Sequence, residues 1–221
     1  SVAGTDIPLG IVPAGTGNDH AREYQLPTGD PAAAVDVIAA GVTATVDLGL
    51  IKGSDGSKTW FGTIAATGFD SLVSDRVNRM RWPHGRMRYN VAMVAELSRL
   101  RLLPFRMVLD GEREIRADLT LAAFGNTRTY GGGMRICPNA DHSDGLLDIT
   151  MVKSASRIKL IRLFPTVFKG THVDLDEVTT DRARTILVES PGINAYADGD
   201  YVCPLPAEIS AVPGALTILV P

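Results

Sequence analysis

The sequence predicts a short α/β segment followed by a β-rich α+β domain, an antiparallel β-sandwich carrying a few helices. Three observations lead there. Residues 7–40 read as one apolar strand and two helices. From Thr43 the pattern changes to alternation with period two, and Asp-Gly hairpin signals recur at Asp110-Gly111 and Asp198-Gly199. No internal repeat or low-complexity linker interrupts the 221 residues, so the natural boundary falls near residue 42, dividing 1–42 from 43–221.

Leu9 to Pro13 is too short for a helical repeat and reads as a strand stopped by Pro13. Gly15 and Gly17 then permit backbone angles and close approach that a β-carbon would block. Thr16, Asn18 and Asp19 are natural caps for a helix through about Tyr24, and Pro31 opens a second helix over Ala32 to Ala40. Beyond the boundary, Val46, Leu48 and Leu50 alternate with Asp47 and Gly49, and a turn at Gly53 to Ser57 leads to a strand from Trp60 through Ala66. Ser71 to Asn78 and Arg88 to Leu103 read as helices, the second with apolar spacing at Val91, Val94, Leu97 and Leu100. Met107 to Glu112 is a hairpin signal, followed by a strand from Leu119 to Phe124 and another from Leu146 to Val152. A helix over Ser156 to Phe168 is expected to bury Ile158, Ile161, Leu163 or Phe164, and Phe168, and to stop at Gly170. Short strands fill the rest from Val173, with Asp174, Asp176 and Glu177 on a solvent side.

Composition narrows the function classes without choosing one. With 45% hydrophobic and 21% charged residues the chain can bury one sizeable core or two small ones. A net charge of −3 gives no nucleic-acid footprint. Cys137 and Cys203 lie far apart without metal or redox spacing and read as reduced, packed thiols of a cytoplasmic protein. No stretch is long and apolar enough to span a bilayer, so contact with lipid is expected from the surface.

Five segments could carry chemistry or bind lipid. The Gly15-Thr16-Gly17-Asn18-Asp19 turn would offer amides and a positive helix end to an anion, and Asp19 could hold magnesium directly or through water; an ordinary strand–turn–helix junction has the same spelling. In Asp141-His142-Ser143-Asp144-Gly145-Leu146, two carboxylates before a glycine turn can converge with carbonyls on a hard cation, although Asp-Gly before a strand is often only a turn. Asp198-Gly199-Asp200 could place a carboxylate at a cleft mouth as a proton acceptor, or be a plain type I′ hairpin. Tyr130-Gly131-Gly132-Gly133 after Asn126 allows close backbone approach to a ligand or another strand, and Asn126 could orient a head group. The run from Arg76 to Arg88, with Arg79, Arg81, Arg86, Trp82 and His84, suits anionic lipid or a solvated helix end. His20, His142 and His172 show no spacing that suggests a site.

The first of these segments, spelled IPLGIVPAGTGNDHAR, resembles the second nucleotide-contacting motif of the bacterial diacylglycerol kinase and sphingosine kinase-like lipid kinases. Thr67-Gly68-Phe69-Asp70, Phe124-Gly125-Asn126 with Tyr130 to Gly133, Cys137 to Asp148, and Ala197 to Asp200 agree in order and spacing. The resemblance implies ATP against Gly15, Thr16, Gly17, Asn18 and Asp19, in a cleft between two domains. It implies a largely structural Mg2+ held by the Asp144 carboxylate and by carbonyls at Asp141 and Leu146. The family's Asp-Gly-Glu reads Asp-Gly-Asp here, so Asp200 inherits the general base with a shorter side chain and Asp198 is the runner-up. Asn126, Gly131 and Gly132 would lie near substrate.

The same resemblance puts a Gly-Gly-Asp-Gly-Thr loop about a dozen residues before Gly15-Thr16, ahead of the first residue here. The chain therefore reads as the C-terminal part of a nucleotide-binding α/β domain plus a β-rich lipid-binding domain, with little kinase activity unaided. The expected whole is an ATP-dependent lipid kinase of the cytoplasm, peripheral to the inner membrane surface, with lipid as partner and a homodimer through exposed strand edges. A noncatalytic lipid-binding module and an NAD kinase-like small-molecule kinase are the alternatives.

Overall fold

The computed structural model describes residues 2–15, 17–80, 82, 91–92, 95–96, 100–153 and 156–221. Helices α1 (Asp19–Glu23) and α2 (Pro31–Ala40) precede β1 (Thr43–Gly53), β2 (Lys58–Phe61) and β3 (Ile64–Gly68). Then come α3 (Phe69–Arg79), β4 (Leu103–Leu109), β5 (Arg113–Leu119), β6 (Leu121–Gly125) and β7 (Leu147–Val152). Helix α4 (Arg157–Lys169) and a short 3-10 turn (Thr171–Asp174) lead to β8 (Val178–Ala183), β9 (Thr185–Glu189), β10 (Asn194–Ala197), β11 (Asp200–Pro204) and β12 (Ala207–Leu219).

These strands form two six-stranded sheets, β2-β1-β12-β9-β4-β5 and β11-β10-β3-β6-β7-β8. Every pairing between named strands is antiparallel, as a chain of short strands joined by hairpins requires. Phe61, Phe105, Met107, Phe124, Ile149 and Ile209 belong to the apolar layer between the sheets. The expected β-sandwich is thus the observed architecture. The hairpin at Asp110-Gly111 has positive φ at both residues, the type I′ geometry its spelling predicts.

Several expectations about single elements change. Leu9 to Pro13 is not a strand; Leu9 alone makes a parallel bridge to Ile218, on the edge of β12 that β9 leaves open beyond Ser210, and Pro8 and Pro13 on either side have no amide to extend the pairing. The strand expected from Trp60 to Ala66 is two, since the chain passes from one sheet to the other at Gly62-Thr63. Likewise Leu119 ends β5 in the first sheet and Leu121 begins β6 in the second, with Thr120 at the crossing. Of the helix expected over Arg88 to Leu103, Val91 is helical but 44% exposed, Leu100 lies outside helix and Leu103 begins β4; Val94 and Leu97 lie outside the described residues. The C-terminal strands are not all short, β12 running for 13 residues. Asp174 closes the 3-10 turn, and Asp176 and Glu177 follow it in a loop, so none of the three is in a strand.

The alternation in β1 does not divide core from solvent. Val46 and Leu48 pack with Ala21, Tyr24 and Leu26 of the α/β segment, while Asp47 and Gly49 on the other face are buried as well. A β-carbon on Gly49 would overlap the Phe61 ring, so Gly49→Ala is expected to lower stability by about 1–3 kcal/mol, measurable by urea denaturation.

Helix α4 starts at Ser156, whose hydroxyl accepts from the Lys159 amide, and ends at Gly170 with φ 74. Its buried face differs from the expected one. Leu163 and Val167 are buried with Leu160 beside them, whereas Ile158, Ile161, Phe164 and Phe168 are exposed. Both stripes have helical spacing, and only one can face the second sheet.

Candidate active site

The Gly15–Asp19 turn closes on itself. Asn18, in the left-handed region at φ 51, accepts from the Gly15 amide through Oδ1 at 3.0 Å and donates from Nδ2 to the Gly15 carbonyl at 2.9 Å. It therefore makes no side-chain cap on α1, contrary to expectation, because both ends of its amide are engaged in the turn. Thr16 lies outside the described residues. Asp19 reaches Arg22 at 3.2 Å and accepts from the Gly132 amide at 2.8 Å. The glycine run thus abuts the turn, and its φ values of 59, 87 and 106 at Gly131, Gly132 and Gly133 are ones that side chains disfavour.

His20, the next residue, carries the turn to the second carboxylate site. Its ring packs against Gly62, where no β-carbon would fit, and its Nε2 lies 3.9 Å from Asp198 Oδ2. Asp198 occupies a left-handed position at φ 50 and accepts from the Gly62 amide at 2.8 Å, from the Thr63 amide at 2.9 Å and from the Thr63 hydroxyl. Burial raises its pKa, but the nearby His20 ring and the hydrogen bonds from Thr63 and Gly62 outweigh burial and hold it below the usual carboxylate value. Asp200 begins β11 opposite Ala197 and is exposed.

This arrangement has an acid signature. A native pKa below the ordinary 3.8 means that the unfolded chain binds the proton more tightly, so Asp198's contribution to stability is complete above the ordinary value. It is lost as pH falls through the lowered native value. Between about pH 5 and about pH 2 the wild type is expected to lose more stability than Asp198→Ala, measured by urea midpoints across that range.

The sequence does not mark Asp47, yet it is the structural centre of the loop that follows. At 4% exposure its carboxylate accepts from the Gly145 amide at 2.7 Å and the Gly214 amide at 2.8 Å. A register shift between Val46 and Leu48 turns it there. Asn126 donates to the carbonyls of Asp47 and Gly62, each at 3.0 Å, and is fully buried. Through its Nδ2 it braces β1 against the crossing at Gly62, and its Oδ1 makes no hydrogen bond.

In the Asp141–Leu146 loop, Asp141 accepts from the Ser143 amide and hydroxyl, and Asp144 accepts from the Leu146 amide at 2.9 Å. Arg182 bridges Asp144 and Asp148, its Nε lying 3.1 Å from Asp148. Burial raises the Asp148 pKa and Arg182 opposes it. Among the described residues no group of three or more His, Cys, Asp and Glu side chains converges. Both Asp144 oxygens are engaged, Oδ1 by the Leu146 amide and Oδ2 by Arg182, so a hard cation such as magnesium would take the place of the Arg182 guanidinium on Oδ2.

Cys137 and Cys203 are unpaired and buried, burial pushing the Cys137 thiol up to about 12. Of the basic run, Arg76 pairs with Glu96 at 2.5 Å, Arg79 is exposed and Trp82 is 77% exposed; Arg81, His84, Arg86 and Arg88 lie outside the described residues. His142 stacks on Tyr24, and His172 is buried against the Ile136 carbonyl at 3.0 Å. His20, Thr63 and Asp47 are the site residues that sequence reasoning missed. Only His20 had a signal, its place directly after Asp19 in the turn.

Residues 63–220 match the model of the YegS C-terminal NAD kinase beta sandwich-like domain, and residues 1–51 match the diacylglycerol kinase catalytic domain. The chain is 73% identical over 220 residues to a diacylglycerol kinase of Mycobacterium tuberculosis, covering all of this chain and 71% of that protein. It is 27% identical over 202 residues to a diacylglycerol kinase of Bacillus subtilis, covering 90% of this chain and 65% of that one. A crystal structure of a diacylglycerol kinase from Bacillus anthracis superposes with a TM-score of 0.67 at 20% identity, over 97% of this chain and 67% of that chain, a likeness of fold.

Proposed function

We propose, from the premise that this chain belongs to the diacylglycerol kinase family of lipid kinases, that the full-length protein transfers the γ-phosphoryl group of ATP to a lipid hydroxyl. The observation that carries the reading is the juxtaposition of two turns from opposite ends of the sequence. His20, adjoining the Gly15–Asp19 turn, lies 3.9 Å from Asp198 of the Asp198–Asp200 turn. One turn faces the nucleotide and the other the acceptor.

ATP lies with its phosphates along the Gly15–Asp19 turn, where Asn18 fixes the backbone and Gly132 bounds the opposite side. Asp198 is a positioning residue. Its oxygens are engaged by Gly62, Thr63 and His20, and its depressed pKa makes it a poor proton acceptor. Asp200, exposed at the start of β11, is the general base. It takes the proton of the lipid hydroxyl as that oxygen bonds to the γ-phosphorus and the bond to ADP breaks. Asp144 and the carbonyls of Asp141 and Leu146 would hold Mg2+, and its positive charge would brace the loop that Asp47 organises.

Diacylglycerol is the first acceptor to test, because the named relatives are diacylglycerol kinases. The test is label transfer from γ-labelled ATP, with magnesium, to diacylglycerol, a sphingoid base, a glycolipid and a long-chain alcohol, each supplied to full-length protein. Label is expected in diacylglycerol. Label in another lipid alone would keep the kinase and change the acceptor. ATP binding without transfer to any acceptor, with vesicle binding intact, would replace the kinase by a lipid-binding module.

A further inference from the structure

Helix α4 carries two apolar stripes and buries one. Leu160, Leu163 and Val167 cover the outer face of the second sheet together with Leu121, Ala123 and Val152. The other stripe, Ile158, Ile161, Phe164 and Phe168, stays 65%, 60%, 42% and 45% exposed. The Phe164 and Phe168 rings meet edge to face, with centroids 5.5 Å apart, so the stripe presents a continuous apolar ridge.

Charge identifies what covers it. The 13 residues of α4 include Arg157, Lys159, Arg162 and Lys169 and no carboxylate, in a chain whose net charge is −3. At 100° per residue Arg162 and Lys169 fall in the sector next to Ile158, and both are exposed. Lys159 reaches outward to an ion pair with Glu177. A protein surface closing over the ridge would also have to supply carboxylates to these cations. An anionic bilayer supplies lipid phosphates and a hydrocarbon boundary together, and a helix with an apolar sector beside a basic one lies in that boundary plane.

We propose that the outward face of α4 is a membrane-docking surface that seats Ile158, Ile161, Phe164 and Phe168 in an anionic bilayer, with Arg162 and Lys169 at the head groups. The inference rests on the lipid kinase reading and adds where the enzyme meets its substrate's membrane. The helix adjoins the site's rim. The Arg135 amide donates to the Val167 carbonyl at 3.0 Å, Met134 and Tyr130 pack in the cluster that holds Leu163, and Gly132 of the same loop bonds Asp19. Docking through α4 therefore brings the Tyr130–Met134 loop toward the lipid surface.

The experiment is co-sedimentation of full-length protein with phosphatidylcholine vesicles, with and without phosphatidylglycerol. Ile161→Gln with Phe168→Gln is expected to weaken binding on the order of 100-fold. Arg162→Glu with Lys169→Glu is expected to weaken it by about 10-fold or more and to remove the preference for phosphatidylglycerol. Val35→Gln, which removes an equally exposed apolar side chain from α2, is expected to change nothing. Circular dichroism and thermal melts confirm folding of each variant. Phosphoryl transfer to a short-chain, water-soluble diacylglycerol should survive the Ile161/Phe168 change, while transfer to vesicle-borne diacylglycerol should fall. If neither substrate is phosphorylated even by wild type, the kinase reading fails and sedimentation still decides the docking face. Equal binding by wild type and the Ile161/Phe168 variant would overturn the proposal. So would a wild-type dimer that the variant converts to monomer, which would make the ridge an interface between copies.

Discussion

Asp47→Ala is expected to cost about 3–5 kcal/mol of stability, the largest loss of any single side chain in the site. The carboxylate is 4% exposed and accepts two backbone amides, Gly145 at 2.7 Å and Gly214 at 2.8 Å. Hydrogen bonds to a charged group contribute about 1.5–3 kcal/mol each, and alanine leaves both donors without an acceptor. For a domain of this size the melting temperature falls on the order of 10 °C. Asp47→Asn restores one acceptor but points an N–H2 group at the other amide, so it recovers only part of the loss. The Asp47 amide also donates to the His142 carbonyl at 2.8 Å, so both ends of the Asp141–Leu146 loop loosen together. Urea denaturation checks this, and a loss below about 1 kcal/mol would remove Asp47 from the centre of the site.

Asp200→Asn in full-length protein is expected to lower kcat by about 100-fold or more while leaving the KM for ATP within about twofold. The amide keeps the shape of the carboxylate but cannot accept the hydroxyl proton, and positioned general bases contribute about 10²–10⁴-fold. Asp198→Asn has a different signature. It puts an N–H2 group against the Gly62 or Thr63 amide, disturbs the turn beside His20, and so should change KM and kcat together. Steady-state kinetics on the two variants separates the base from the residue that positions it. Equal losses of kcat alone in both would contradict that division.

How far the sequence exposes this design depends on the kind of residue. Turns with demanding backbone geometry are legible, because Asp110-Gly111, Asp198-Gly199 and Gly170 take left-handed angles that their spelling announces. Alternation is less informative. Asp47 and Gly49 alternate with Val46, Leu48 and Leu50, but both faces of β1 are covered, one by residues 21–26 and the other by the apolar layer between the sheets. A carboxylate turned inward onto amides looks, in sequence, like one turned outward to water. Helix α4 fails for a related reason, since Ile158-Ile161-Phe164-Phe168 and Leu160-Leu163-Val167 both satisfy helical spacing. Asn126 and Thr63 act through contacts with residues more than 60 positions away, which no local pattern encodes.

The site accordingly depends on long-range closure. Residues 15, 18–20, 47, 62–63, 126, 132 and 198 meet only because both sheets are complete. The ridge on α4 is a candidate lipid contact, and the vesicle comparison weighs it directly.

The most direct test of the account is a single-turnover reaction of full-length protein with γ-labelled ATP, magnesium and diacylglycerol in mixed micelles, in parallel for wild type and Asp200→Asn. Label in the extracted lipid from wild type, slowed about 100-fold in Asp200→Asn with ATP binding unchanged, is the predicted result. Label appearing at the same rate in both proteins would contradict the role of Asp200. Bound ATP that never labels any lipid would contradict the kinase itself.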